Sequence, residues 1–168
     1  MITKYPETWP EFYTATIHEW KYLLKDDNFK EIIIESLQWM VQNKKVKISA
    51  FVIMSNHIHL IWQATTSITP AEVQTSFKKY TSKRFLYLLN KSGKAQQYIV
   101  QAADRQHQFW KRNSLRIELF TPSVFEQKLE YIHDNPVNAG LCKYPEEYKY
   151  SSAKFYETGF DSFDILER

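Results

Sequence analysis

With 168 residues and a hydrophobic fraction of 43%, the chain has the size and composition of one globular domain with a sizeable core. Its 22 Lys+Arg against 19 Asp+Glu leave a net charge of only +3, too weak by itself to demand a polyanionic partner. The single Cys142 excludes an internal disulfide and a cysteine-based zinc site; with no apolar run of transmembrane length and no charged-then-apolar signal pattern, the expected location is cytoplasmic, away from a membrane.

In chain order, Phe12 to Ile17 carries Phe, Tyr, Thr and Ile and reads as a first strand. Asp26, Asp27 and Asn28 are caps for a helix in which Phe29, Ile33, Leu37, Met40 and Val41 recur at helical spacing, and Asn43-Lys44-Lys45 ends it. Lys47 to Ile53 is a second β-rich run, Met54-Ser55-Asn56 makes a turn, and His57 to Gln63 returns as a third strand, completing a hairpin. Side chains alternate across a strand, so His57 and His59 point to one face while Ile58, Leu60 and Trp62 take the other. Two imidazoles on one face form a metal-ligand pair. The spacing does not name the ion, because imidazole suits Zn, Mn and Fe, and an added oxygen ligand admits a hard cation as well.

Thr69-Pro70-Ala71-Glu72 combines a Thr cap, Pro at the first helical position and Glu three residues after the cap, which starts a second helix. Val73, Phe77, Tyr80, Arg84 and Leu88 follow helical spacing along it. Lys78, Lys79, Lys83 and Arg84 gather around this helix, either as a solvated face or as a surface that tracks phosphates. From Lys91 to Gln108 the chain is polar, Gln-rich and without period, which predicts a long mobile loop. Phe109-Trp110-Lys111-Arg112 interleaves aromatic and basic groups. That pattern suits stacking on bases and neutralising phosphates, and equally suits an anchor that closes the loop onto the core.

Leu115, Ile117 and Leu119 alternate as a fourth strand, and Thr121-Pro122 starts the next helix. The order β-α-β-β-α-β followed by a further helix predicts an α+β protein: a ferredoxin-like sandwich, with an antiparallel sheet, helices on one face, and an extra C-terminal helix. Residues 1–168 read as a single domain whose irregular, Tyr-rich tail, from about 142, packs over it. On the last helix Phe125, Leu129 and Ile132 form the stripe to be buried. At ~100° per residue, Tyr131 and Asn135 lie one turn apart on one flank of that stripe, and His133 lies on the opposite flank. Pro136 disfavours the αR conformation at Asn135, so the helix is expected to end there, with the Asn135 amide free to turn toward a metal.

Met54-Ser55-Asn56-His57-Ile58-His59 followed by Tyr131-Ile132-His133-Asp134-Asn135-Pro136-Val137-Asn138-Ala139-Gly140-Leu141 resembles the single-tyrosine HUH transposases, and among them most closely the REP-associated tyrosine transposases. The resemblance runs from the first strand to Tyr148-Lys149-Tyr150-Ser151-Ser152. It implies that His57 and His59 hold a divalent ion, Mg²⁺ or Mn²⁺, that Asn135 completes the metal site, and that Tyr131 on the C-terminal helix attacks DNA. Phe109-Trp110 resembles the aromatic pair that precedes the last strand in the family.

The activity so implied is metal-dependent cleavage and strand transfer of single-stranded DNA through a 5′-phosphotyrosine. Its substrate would be presented as a hairpin and its enzyme would be a homodimer. The contacts expected with DNA come from Lys78, Lys79, Lys83, Arg84, Trp110, Lys111 and Arg112. Two other readings are a non-catalytic, hairpin-binding descendant of a transposase and a metal-dependent phosphodiesterase that uses water, with Tyr131 merely packing.

Overall fold

The computed structural model describes residues 6–167. Its elements in chain order are β1 (Glu11–Thr16), α1 (Asp27–Gln42), β2 (Val46–Ile53), β3 (His57–Ala64), α2 (Pro70–Ser92), β4 (Leu115–Glu118), α3 (Pro122–Asn138) and the short α4 (Ala153–Thr158). The four strands pair antiparallel in the order β2-β3-β1-β4, so β3 and β1 are central. This is the sheet of a ferredoxin-like sandwich.

Alternation along the strands divides the core into two layers. Tyr13, Ala15 and Ile17 from the first strand region, with Ile58, Leu60 and Trp62 of β3, face one side, where α1 and α2 cover them. Phe12 of β1 and Ile61 of β3 face the other side, where Ile132 of α3 joins them. In β2, Val46 and Ile48 face α1 and α2, and so do Phe51 and Ile53, an odd number of residues later. The register shift between Ile48 and Ala50 is what changes the phase. A bulge inserts one residue, and without it Phe51 and Ile53 would point away from the larger core.

Helix starts follow the expected chemistry. Asp26 accepts a hydrogen bond from the Asn28 backbone N–H at 2.9 Å, and Thr69 and Glu72 cap one another reciprocally at α2. Gly93, at φ 70°, ends α2 in the left-handed conformation that a side chain would resist. The buried stripe of α2 is Val73, Phe77, Thr81, Phe85 and Leu89. Tyr80, Arg84 and Leu88, which share the helical spacing of Val73 and Phe77, lie beside that stripe, with Tyr80 and Arg84 exposed. The physical reason is Thr81: its hydroxyl donates to the Phe77 carbonyl at 2.8 Å and accepts from the Trp110 indole at 2.9 Å, so a polar residue is buried without loss.

The segment after α2 is less irregular than its composition predicts. A 3-10 turn at Ala95–Tyr98 buries Tyr98 against Phe109, and Ile99 bridges His107. Helix α3 does not stop at Asn135: it continues through Pro136 to Asn138. Proline forfeits only one intrahelical donor, and here its ring is buried one turn above Ile132, so packing outweighs the steric bias against αR at the preceding residue. The helices also divide between two faces, α1 and α2 on one and α3 on the other.

The tail covers the free edge of β2. Ile53 N–H donates to Tyr150 O, Ser152 N–H to Phe51 O, and Glu167 N–H to Ile48 O, at 2.8 to 3.0 Å. An edge strand otherwise open to pairing is thereby closed. Among the described residues no helix is long and apolar enough to cross a membrane.

Candidate active site and nucleic-acid surface

Register places the two histidines. In the central strand β3, His57 sits opposite Thr16 and His59 opposite Thr14 of β1, while Val52 of β2 flanks His59 on its other side. Both rings therefore project onto the α3 face, with centroids 4.9 Å apart. His59 is 5% exposed and stacks on Phe12 at 5.3 Å. The Thr14 hydroxyl holds its Nδ1 at 2.7 Å. On the other side of the ring, Nε2 is buried with no hydrogen-bond partner. A buried, unsatisfied imidazole nitrogen is costly unless something binds it.

His57 is fixed in the same manner. Its Nδ1 lies 2.7 Å from the Asn56 side-chain oxygen, which can only accept, so Nδ1 carries the proton and Nε2 presents its electron pair. Burial pushes the His57 pKa below the ordinary imidazole value, partly opposed by a hydrogen bond with the Asn135 side chain. Burial lowers that of His59 further, to about 3, helped by the neighbouring His57 and Lys128 charges. Both rings are thus held neutral at physiological pH, the form in which imidazole binds a metal.

The other half of the site comes from α3. The Tyr131 ring stands 5.2 Å from His59 and 5.9 Å from Phe12, edge-on to both, and is 50% exposed. Its hydroxyl is thus on a side chain that a substrate can reach. One turn on, Asn135 meets His57. His133 points elsewhere: its Nε2 pairs with the Ser152 hydroxyl at 2.8 Å and its ring packs against Tyr156. The structure brings together His57, His59, Asn135 and Tyr131 from a single chain, and leaves His133 out.

Among the described residues there is no group of three or more His, Cys, Asp or Glu that could hold a metal ion. A cation here would rest on two imidazoles, the Asn135 amide, and oxygens of water or substrate, a mixed set that suits Mg²⁺ or Mn²⁺ better than a closed zinc site. The orphaned His59 Nε2 fits such a role.

Three contributors escaped the sequence reading. Thr14 and Asn56 orient the two imidazoles. Lys128, one turn before Tyr131, places its ammonium 4.9 Å from the Phe12 ring centre and 5.9 Å from that of Tyr131. Its position three residues before the tyrosine was the available signal.

The expected nucleic-acid contacts divide. Lys79, Lys83 and Arg84 are exposed, Arg84 lying 3.4 Å from Glu35. Lys79 and Lys83, with Trp39 and Tyr80, line a cleft of about 380 Å³ between α1 and α2, on the side of the sheet away from the histidines. Lys78 is half-buried and donates to the Lys111 carbonyl, and burial lowers its pKa. Lys111 and Arg112 are exposed. Trp110, in contrast, is 5% exposed, with its ring against Phe77 and Phe85 and its N–H on Thr81. It is an anchor of the core, and its ring is not open to a base.

A ferredoxin-like sheet thus bears a histidine pair against a tyrosine carried on α3. The family model described as IS200-like transposase matches residues 14–135, and the chain belongs to that family. Among solved structures, a REP-associated tyrosine transposase bound to a REP hairpin aligns with TM-score 0.67 at 14% identity, covering 99% of this chain and 93% of the other. A candidate transposase from Deinococcus radiodurans R1 aligns at 12% identity over 80% of this chain and 97% of the other, with TM-score 0.49. At these identities the first likeness concerns the fold. No curated protein matches the sequence.

Proposed function

We propose that the protein cleaves and rejoins single-stranded DNA through a covalent link to Tyr131, with hairpin DNA as its substrate. The observation that carries this reading is the convergence of Tyr131 with a neutral histidine pair whose buried His59 Nε2 lacks a partner. Mg²⁺ or Mn²⁺ held by His57, His59 and Asn135 would polarise the scissile phosphate and neutralise its charge.

The chain's own groups do the rest. The Tyr131 oxygen attacks phosphorus, its proton passing to solvent. The new Tyr–O–P bond forms as the bond from phosphorus to the 3′ oxygen breaks, and that oxygen takes a proton to become a 3′-OH. The product is a 5′-phosphotyrosine. Because one phosphoester replaces another, a second 3′-OH can reverse the attack and join a new strand without ATP. Phe12 and Val52 border the histidines with apolar surface, limiting water around the reacting phosphate. Lys128, whose ammonium lies over the Tyr131 ring at 5.9 Å from its centre, adds positive charge to the site in which anionic oxygen develops.

The exposed Lys79, Lys83, Arg84, Lys111 and Arg112 supply phosphate contacts, and their partner is DNA in the cytoplasm. A homodimer, in this reading, joins two sites that are each already complete. The test is incubation with labelled hairpin DNA carrying a single-stranded flank, plus Mn²⁺, followed by a denaturing gel. A protein-linked DNA band is expected. Cleavage that leaves only free 5′-phosphate ends would favour water as nucleophile instead.

A further inference from the structure

After β1 the chain turns through His18–Trp20, and in that turn Glu19 and Trp20 adopt φ values of 56° and 57°. Left-handed backbone is unfavourable for residues with a Cβ, and two in succession persist only where the surroundings dictate them. Here they do. Ile17 N–H donates to Asn56 O and His18 N–H to Phe109 O, both at 2.8 Å, and Leu24 N–H reaches Ser55 O at 3.0 Å.

What this constrained turn achieves is to hold an indole outward. Trp20 is 55% exposed, although an indole ordinarily gains by burial. One cation lies against it. The Lys111 ammonium lies over the Trp20 ring, 5.1 Å from its centre, on one of the two faces of the indole. Glu19, the acidic neighbour, is occupied by Lys21 and His18, each at 3.3 Å.

The turn is also wired to the active site. The Trp20 carbonyl accepts from the Asn56 amide at 3.4 Å, and the oxygen of that amide holds His57. On its other flank, Lys111 N–H donates to Thr16 O at 2.7 Å, and Lys78 reaches the Lys111 carbonyl. Hydrogen bonds and one ring contact thus connect Lys78, Lys111, Trp20, Asn56 and His57 in sequence.

We propose that Trp20 is a stacking platform for a nucleobase of the single strand entering the active site, with Lys111 on the adjoining phosphate. The proposal rests on the DNA reading above and adds a residue that reading does not use. An exposed aromatic ring beside a cation is the chemistry by which single strands are held without sequence preference.

Binding of a fluorescein-labelled hairpin with a single-stranded flank, and of the same hairpin blunt-ended, is measured by fluorescence anisotropy for the parent, Trp20→Ala and Trp20→Phe. Trp20→Ala is expected to weaken binding of the flanked DNA about tenfold, to leave the blunt hairpin unchanged, and to be largely rescued by Trp20→Phe. Unchanged affinity of Trp20→Ala for the flanked DNA overturns the proposal and makes the indole a contact for something else. Equal loss on both DNAs, or a Phe variant as weak as Ala, overturns it too. A parent that binds neither DNA instead removes the functional reading on which the proposal stands.

Discussion

At the scale of single residues, the histidine pair depends on groups that do not touch a metal. Thr14 holds His59 Nδ1 at 2.7 Å, which fixes the ring and leaves the buried Nε2 as the atom without a partner. Thr14→Val keeps the shape and removes the hydroxyl, so it is expected to lower metal-dependent cleavage roughly 10- to 100-fold with little change in DNA affinity. Single-turnover rates across a Mn²⁺ titration check this, and a parental rate at every concentration would contradict it. The Lys128 ammonium lies over the Phe12 and Tyr131 rings, at 4.9 and 5.9 Å from their centres. Lys128→Ala is expected to slow cleavage on the order of 10²-fold at saturating DNA, with Lys128→Arg retaining more. A uniform weakening of DNA binding with an unchanged rate constant would reduce Lys128 to a phosphate contact.

At the scale of elements, α3 is the part that must be held still. His133 pairs with Ser152, whose hydroxyl also accepts from Phe51 N–H, and Tyr148 donates to the Ile53 carbonyl, so the tail ties α3 to β2. His133→Ala should therefore cost about 1 to 3 kcal/mol of stability while leaving the chemistry of folded protein largely intact. Asn135→Ala should do the reverse, sparing the melting temperature and weakening metal-dependent cleavage. Thermal unfolding and initial rates on both variants separate the two roles, and equal losses of rate would erase the distinction.

The helical wheel separated these residues from sequence, because angular position within a helix is a local property. For the same reason the alternation of β3 put both histidines on one face. What stayed hidden was non-local. Thr14 meets His59 only through strand register, Trp110 finds Thr81 across the gap between a loop and a helix, and the extent of α3 past Pro136 follows from packing against the sheet. The burial of Thr81 is likewise non-local, because its polarity is satisfied in part by the Trp110 indole from another segment.

At the scale of the whole molecule, one chain supplies His57, His59, Asn135 and Tyr131 together. A mixture of Tyr131→Phe and His59→Ala proteins, each inactive alone, is accordingly expected to stay inactive. Recovered cleavage would mean that α3 is exchanged between two copies. The central claim, that the Tyr131 oxygen is the nucleophile on DNA, has a more direct test: digestion of the denatured protein-DNA adduct and mass mapping of the nucleotide-bearing peptide. The adduct is expected on Tyr131 and is expected to vanish in Tyr131→Phe, which keeps the ring's packing and binds the hairpin as the parent does. A nucleotide mapped to another tyrosine, or an adduct that survives in Tyr131→Phe, would contradict the account.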